Sequence, residues 1–164
     1  MTGKGSLNHN SRKFHAKNTD PNRTHWNVEY CNEDIKDVYH ELFDDALKRY
    51  NDKQTRKDRK IDDYYEKIRS GKQEKLFHEV ILQIGDKDNM GSETMEGQLA
   101  AKILDEYMKG FQERNPTLRV FAAHLHLDEA TPHLHIDFIP YVTGSKRGLD
   151  TRAVSYTHLR AHET

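Results

Sequence analysis

The sequence is poor in cysteine and proline, and it has no long apolar run. Its 164 residues include one cysteine and four prolines. The lone Cys31 excludes an intrachain disulfide, which is typical of proteins from a reducing cytosol. Because no apolar run approaches the roughly 18 residues of a membrane span and no signal-peptide pattern is present, we expect a cytoplasmic protein with no membrane partner.

Neither sign of charge dominates the sequence. Lys and Arg number 26 and Asp and Glu number 27, which gives a formal net charge of −1 at pH 7. A near-neutral total does not by itself indicate nucleic acid binding, so any such binding must depend on where the basic side chains lie. With 34% hydrophobic residues, the chain fits one domain with a modest core.

The end of the chain differs in character from the rest. Residues 154–164 match the translation of a transposase sequencing adapter, and we exclude them from arguments about fold and function. The alternative is a native polar tail. On the adapter interpretation, residues 1–153 form one truncated domain, residues 154–164 are a non-native tail, and the natural chain continues beyond Arg152.

Histidine, by contrast, is concentrated in one stretch. Four of the eleven histidines fall within twelve positions, at His124, His126, His133 and His135. Side chains two residues apart on a strand point to the same face, and the intervening Asp-Glu-Ala-Thr-Pro segment is typical of a turn. We therefore predict a β-hairpin with imidazoles on both strands.

The register of this hairpin decides whether the histidines act together. If His126 lies opposite His133 or His135, three imidazoles converge on one face, whereas His126 opposite Leu134 would split them between faces. Single histidines in strands are usually ordinary core or surface residues, but this cluster favours a transition-metal site, with Zn, Mn, Fe, Co or Ni all suitable. Glu129, in the turn, is the nearest candidate for a fourth ligand or a base.

The same stretch resembles a known family motif. The pattern His-x-Asp-Glu-x-Thr-Pro-His-x-His, from His126 to His135 and followed after four residues by Pro140, is similar to the third motif of the MobV (Pre/Mob, plasmid recombination enzyme) relaxases. Its His-Leu-His end is the His-hydrophobic-His signature of the wider HUH endonucleases. Two N-terminal runs resemble the first and second motifs of that family: Asn8–Arg12, which contains His-Asn-x-Arg, and Asn22–Asn27.

The resemblance implies roles for residues near the N-terminus. His9 would be the nucleophile, and its attack on phosphorus would give a phosphoramidate. Asn10 and Arg12 would contact phosphates or bases. Asn27, with His25, would orient the site or touch the DNA.

The resemblance also implies a metal cofactor and a DNA partner. His126, His133 and His135 would hold one divalent ion, Mn²⁺ or Mg²⁺, with Glu129 as a base or a further ligand. Mn²⁺ is the better fit, because Mg²⁺ prefers oxygen ligands to imidazole. The DNA would be an origin of transfer, bound as single strand and duplex, and any homodimer would form through the missing C-terminal region.

Other residues offer a rival nucleophile and further DNA contacts. Tyr64 or Tyr65 would be the rival, since many relaxases use tyrosine, although their spacing is typical of a helix core. The basic run Lys53–Lys60 would meet DNA phosphates, or it would be a solvated face, with equal weight given to each. Arg147, in the basic turn Gly144–Gly148, would also contact a phosphate.

Hydrophobic periodicity predicts an α+β fold. It indicates helices over residues 35–50, 61–68 and 99–111, and strands over residues 76–84, 118–127 and 133–142. Leu99 and Ile103 belong to the apolar face of the last helix. This order fits an antiparallel β-sheet with helices packed on one side, and the resemblance implies an HUH relaxase-like fold. Only Met1–Leu7 precede the first motif, so we expect the strand found there in relatives to be shortened and the fold to be incomplete at both ends.

The resemblance implies that the function is that of a metal-dependent, site-specific DNA relaxase. It would nick one strand at a plasmid origin of transfer through a covalent protein–DNA intermediate, for plasmid mobilisation and recombination. One alternative is a metal-dependent phosphodiester hydrolase without a covalent intermediate, which would not need the His9 motif. The other is an inactive DNA-binding fragment.

Overall fold

The computed structural model describes residues 2–3, 6–86 and 88–155, and an antiparallel β-sheet is its central element. The strands are β1 (Thr2–Gly3), β2 (Val28–Asn32), β3 (His78–Gln83), β4 (Leu118–His126), β5 (His133–Val142) and β6 (Arg152–Ala153). The helices are α1 (Leu7–Asn10), α2 (Ile35–Asp52), α3 (Tyr64–Ser70), α4 (Met95–Lys109) and α5 (Phe111–Arg114). The strand order is β1-β3-β5-β4-β2, with β6 beside β5, which confirms the predicted α+β class.

The predicted hairpin lies in the middle of the sheet. β4 and β5 pair antiparallel along their length, with a bulge between Val120 and Ala122. β3 pairs with the other edge of β5 and places Glu79 opposite Asp137. Because β5 has a neighbour on each side over residues 133–138, side chains on this part of it are held by both flanking strands.

Helices cover both faces of the sheet, not the single face that we predicted. Phe138 of β5 clusters with Leu104 of α4. Ile139, which points the other way because neighbouring side chains alternate, clusters with Phe43 of α2. The prediction was wrong because the central strands have apolar residues on both faces, and each apolar surface must be removed from water.

Helix α4 begins earlier than its apolar period indicated. Thr94 is the N-cap, and its hydroxyl accepts a hydrogen bond from the Gly97 amide at 3.0 Å, so the helix starts at Met95. Leu99 and Ile103, which we placed on the core face, are 60% and 47% exposed. The face that packs on the sheet is instead set by residues such as Ala100, Leu104 and Met108.

The two ends of the described chain lie beside the sheet. β1 pairs with Val80 and Glu79 of β3, and the predicted shortening of the first strand stays a prediction. The amide of Val154 donates to the carbonyl of Pro140 at 3.0 Å, so the described part of the predicted tail continues beside β5, and residues 156–164 lie outside the described residues. Among the described residues, no helix combines the length and apolar character needed to cross a membrane.

Candidate active site

The hairpin register brings three histidines together. His126 lies opposite His133 across β4 and β5, and His135 points to the same face because it is two residues further along the strand. The ring centroid of His126 is 5.2 Å from that of His133 and 4.7 Å from that of His135, and the latter two are 4.9 Å apart. The convergence expected from the sequence spacing is therefore present.

Each imidazole has one nitrogen near a protein acceptor, which leaves the other for the cluster. His126 Nε2 is 2.8 Å from the carbonyl of Asn10, and His133 Nδ1 is 2.9 Å from a carbonyl in the hairpin turn. His135 Nδ1 lies 3.3 Å from Glu79 Oε2. Backbone carbonyl oxygens only accept hydrogen bonds, so these contacts favour the tautomers of His126 and His133 in which the outer nitrogen donates and the inner nitrogen faces the cluster.

This donor set suits a single metal ion. The three histidines each offer one nitrogen, and these atoms lie within 4.8 Å of one another. All three side chains are buried. Burial lowers the pKa of His126 to about 3, so this ring is neutral at physiological pH, which is the state that binds metals.

Glu129 stands between the three histidines and the N-terminal motif. Its Oε1 atom is 2.8 Å from Arg12 Nη2 and 3.3 Å from His9 Nε2, and its Oε2 atom is 3.5 Å from His133 Nε2. Burial raises the pKa of this carboxyl, but the contacts with His133 and Arg12 outweigh burial and hold the pKa well below its usual range. Glu129 is therefore an anion at neutral pH.

Arg12 holds the N-terminal motif against the hairpin turn. Its guanidinium donates to Asp128 from Nε at 2.9 Å and from Nη2 at 2.5 Å. The side chain is only 8% exposed, so in this structure it is paired within the protein, and its predicted contact with DNA stays a prediction. Its backbone has a φ of 55°, which turns the chain sharply after α1.

This anchoring places His9 beside the three histidines. The ring centroids of His9 and His126 are 6.0 Å apart. Burial and the charge of Arg12 lower the pKa of His9, so the ring is neutral at pH 7 and retains a lone pair. The side chain remains 22% exposed, and it borders a cleft of about 590 Å³ whose walls also include Gln83, Glu129, Thr131, His133 and His135.

A buried polar group behind the histidines escaped the sequence analysis. Glu79 and Asp137 are 5% and 0% exposed and face each other across β3 and β5. Burial and the charge of Glu79 raise the pKa of Asp137 well above its usual range, so this pair holds a proton at neutral pH. The amide of Asn10 donates to both carboxyl groups. Asn10 is 2% exposed, so in this structure it supports the site, and its predicted contact with DNA stays a prediction.

Comparison with known protein families gives a match that covers most of the chain. A family model described as Plasmid recombination enzyme (Mob_Pre) matches residues 4–161. The chain belongs to the Mob_Pre family. The match extends into residues 154–161, so the adapter origin of that segment stays a prediction. A search for similar curated proteins gave no match.

Solved structures similar to this Mob_Pre chain come from one relaxase. One is the Mn-bound MobM relaxase domain (MOBV; Mob_Pre) with 22 nucleotides of plasmid pMV158 oriT DNA at pH 5.5. Its sequence identity to this chain is 24% and the TM-score is 0.44. The match covers 87% of this chain and 65% of that chain. Another, with 23 nucleotides at pH 6.5, has 26% identity, coverages of 85% and 62%, and a TM-score of 0.46. This Mob_Pre chain thus spans under two thirds of those chains.

The remaining predicted residues lie apart from the three histidines or in supporting positions. Asn27 Oδ1 accepts from the amide of Leu127 at 2.7 Å, so this Mob_Pre residue braces the start of the hairpin turn. Arg147 is exposed beyond the far end of β5, and that end, at Val142, lies roughly 23 Å along the strand from His135 at about 3.3 Å per residue. Whether either residue, or the largely exposed run Lys53–Lys60, contacts DNA stays a prediction.

The rival tyrosine nucleophiles are poorly placed. Tyr64 is 9% exposed, and its hydroxyl accepts from the amide of Ala153 at 3.0 Å. It packs with Tyr39 and Phe43 in the core under α2, and burial raises its pKa. Tyr65 lies in the same core region, 5.2 Å from Tyr39 between ring centroids. Both tyrosines are therefore core residues here, which leaves His9 as the nucleophile candidate beside the three histidines.

Proposed function

We propose that this chain is the DNA-nicking relaxase domain of a Mob_Pre protein and that it acts through a metal ion and a covalent histidine–DNA intermediate. The observation that carries the proposal is the arrangement of four imidazoles. Three of them each offer one nitrogen within 4.8 Å of the others, while the fourth, on His9, lies beside them and next to the carboxylate of Glu129. The solved relatives are named as Mn-bound relaxase domains with oriT DNA, and we propose the same class of partner here.

The donor set of His126, His133 and His135 fits a divalent transition-metal ion. Three neutral imidazoles are better ligands for Mn²⁺ than for Mg²⁺, which prefers oxygen. A bound ion would polarise the scissile phosphate and offset its negative charge in the transition state. The Asn10 carbonyl, the turn carbonyl and Glu79 would keep the three rings in the orientation that this requires.

His9 would act as the nucleophile. A neutral imidazole nitrogen attacks phosphorus, an N–P bond forms, and the bond from phosphorus to the 3′ oxygen breaks. The 3′ oxygen takes up a proton and the imidazole releases one from its other nitrogen, so the protein is joined to the 5′ end and a free 3′ hydroxyl remains. The N–P bond retains the free energy needed to rejoin the strand.

Glu129 would orient His9 and balance its charge. The carboxylate lies 3.3 Å from His9 Nε2 and would fix that nitrogen. The attacking nitrogen would then be Nδ1, which is 3.5 Å from Arg12 Nη1. A carboxyl whose pKa is held low is a weak general base. We therefore assign Glu129 to charge stabilisation or to metal ligation rather than to proton removal. Arg12 and Asp128 keep this carboxylate and the His9 segment in one place.

A second function is favoured by one further observation. His9, His126 and Glu129 also offer atoms that lie within 4.8 Å of one another. If His9 were a ligand, the metal would activate water and the chain would be a phosphodiester hydrolase without a covalent intermediate. The two functions differ in whether DNA becomes attached to the protein.

A nicking assay with detection of the adduct distinguishes them. Protein with Mn²⁺ is incubated with supercoiled DNA that carries the pMV158 origin of transfer, and nicked circles and protein-linked 5′ ends are measured. We expect both products from the wild type and neither from His9→Ala or His135→Ala, with His40→Ala, an exposed histidine on α2, as the matched control. Nicking without an adduct would favour the hydrolase. Absence of nicking by the wild type would overturn the proposal for this chain.

A further inference from the structure

Asn10 is connected to two of the three clustered histidines by separate groups. Its backbone carbonyl lies 2.8 Å from His126 Nε2. Its side-chain amide donates to Glu79, and Glu79 Oε2 is 3.3 Å from His135 Nδ1. The second amide hydrogen is directed to Asp137 Oδ2 at 3.3 Å. One residue therefore reaches the outer nitrogen of His126 directly and that of His135 through a carboxylate.

The same residue is the last of α1, directly after His9. A helix of four residues has too few internal hydrogen bonds to persist alone in water. The position of α1 must therefore come from its contacts with the sheet, and the Asn10 side chain is almost fully removed from solvent among Glu79 and Asp137. Whatever holds Asn10 in place also holds the backbone of His9.

We infer that Asn10 is a positioning residue that couples metal binding to the docking of α1, and so to the placement of His9. The inference rests on the proposed metal site. The Asn10 carbonyl orients the ring of His126, and Glu79 at 3.3 Å orients that of His135. Removal of the Asn10 amide frees Glu79 and so loosens the ligands. Conversely, a bound ion holds those rings and strengthens the contacts that retain α1. Such coupling is reciprocal, because each event changes the free energy of the other by the same amount.

Titration of Mn²⁺ into the DNA-free protein tests the first half of this coupling. The variants are Asn10→Ala, which removes the amide but keeps the carbonyl, and Asn8→Ala, a matched control whose side chain is exposed on the same helix. We expect Asn10→Ala to weaken Mn²⁺ binding by about 10-fold or more, the lower end for loss of an outer hydrogen bond to a metal ligand, and Asn8→Ala to leave it unchanged. Equal affinity in Asn10→Ala and the wild type would overturn the inference.

Limited proteolysis tests the second half. Lys13 and Lys17 are exposed just after α1, and trypsin reaches such sites when the segment opens locally. We expect Mn²⁺ to slow cleavage there in the wild type and in Asn8→Ala, relative to samples in EDTA, and to have little effect in Asn10→Ala. A structural loss alone would speed cleavage equally with and without metal, and that result would contradict the coupling.

A second variant keeps the test decisive if Asn10→Ala does not fold. Glu79→Gln keeps the side-chain size and removes the charge that links Asn10 to His135. We expect it to weaken Mn²⁺ binding by a similar factor, and the double variant to lose little more than either single change, because both act through one connection. Independent, additive losses would overturn the proposed route. Failure of the wild type itself to bind Mn²⁺ would remove the proposed metal site and the inference with it.

Discussion

The two faces of the β4–β5 hairpin are built from the same strands and serve opposite purposes. On one face, Leu125, Leu134 and Ile136 are at most 2% exposed and pack with α4 in a wholly apolar cluster. On the other face, at adjacent positions, His126, His133 and His135 are also buried, and His126 Nδ1 and both ring nitrogens of His135 lack a hydrogen-bond partner among the described residues. Burial of a polar atom without a partner costs free energy.

The comparison teaches that the apolar face holds the register on which the polar face depends. A slip of one residue would bring histidines into the α4 core and leucines into the cleft. Burial of each leucine contributes about 1.5–3 kcal/mol, so the register that puts leucines under α4 is strongly favoured. At this end of the hairpin, stability is thus supplied by the face that packs on α4, and buried imidazole nitrogens without hydrogen-bond partners among the described residues are tolerated on the other face.

The largest expected effect comes from loss of one imidazole. His135→Ala should reduce nicking by at least about 10³-fold, because loss of metal binding removes several kcal/mol of transition-state stabilisation. The free energy of unfolding of His135→Ala in EDTA should differ little from that of the wild type. Rates of nicking and urea unfolding of the same preparation check both statements. A variant that nicks normally would contradict the metal site, and one that unfolds would show that the polar face is also a source of stability.

The neighbouring residue should give the reverse result. Leu134→Ala, at a side chain that is 0% exposed, should lower the free energy of unfolding by about 2–5 kcal/mol through lost burial and a cavity. Where the variant remains folded, its Mn²⁺ affinity should stay close to that of the wild type. Urea unfolding and metal titration measure the two effects, and a loss of metal affinity larger than the loss of stability would contradict the division between the faces.

The hairpin and its cluster could be predicted from the sequence because both are local. His133 and His135 alternate with Leu134, and the turn at Glu129 lies in the same stretch, so one short segment contains the pairing and three of the site residues.

The long-range parts could not be predicted in the same way. The pairing of β3 with β5, which sets Glu79 against Asp137, joins segments far apart in sequence. The inward direction of Asn10 and Arg12 depends on a four-residue helix with no apolar period. Leu99 was assigned to the core because periodicity identifies an apolar stripe but not which edge of it meets the sheet.

Metal binding should stabilise the folded protein, because the ion would bind histidine nitrogens that lack hydrogen-bond partners among the described residues. Mn²⁺ at about 100 times its dissociation constant should raise the free energy of unfolding by about 2.7 kcal/mol, since it binds the folded chain and not the unfolded one. His135→Ala should gain little. Thermal unfolding with Mn²⁺ and with EDTA measures the difference, with His40→Ala as control. Equal gains in all three proteins would indicate binding elsewhere.

The Glu79–Asp137 pair should make the stability of the metal-free protein depend on pH. The pKa of Asp137 is raised in the folded state. The contribution of Asp137 to the free energy of unfolding is therefore fully present below its unfolded pKa of about 3.9 and is lost as pH rises toward its folded pKa. Between pH 5 and pH 8 in EDTA, the free energy of unfolding of Asp137→Asn should therefore rise relative to that of the wild type by roughly 1 kcal/mol or more. One unit of pKa difference corresponds to about 1.36 kcal/mol.

The control for this titration has the opposite sign. Arg12 outweighs burial and lowers the pKa of Asp128, so that carboxylate stabilises the fold above its unfolded pKa and loses this contribution as pH falls. Asp128→Asn should be less stable than the wild type at pH 7 and approach it in acid. Parallel pH profiles for the two asparagine variants, from urea unfolding, would contradict the assignment.

The smallest effect tests which edge of α4 belongs to the apolar face. Leu99 and Leu104 are both leucines of the same helix, but they are 60% and 3% exposed. Leu99→Ser should change the free energy of unfolding by no more than about 0.5 kcal/mol, as is usual for surface positions. Leu104→Ser should cost several times more, because it removes buried apolar area and places a hydroxyl in the core. If Leu99→Ser proved as costly as Leu104→Ser, then α4 would be rotated on the sheet, and the apolar face that fixes the hairpin register would include the stripe that is exposed in this structure.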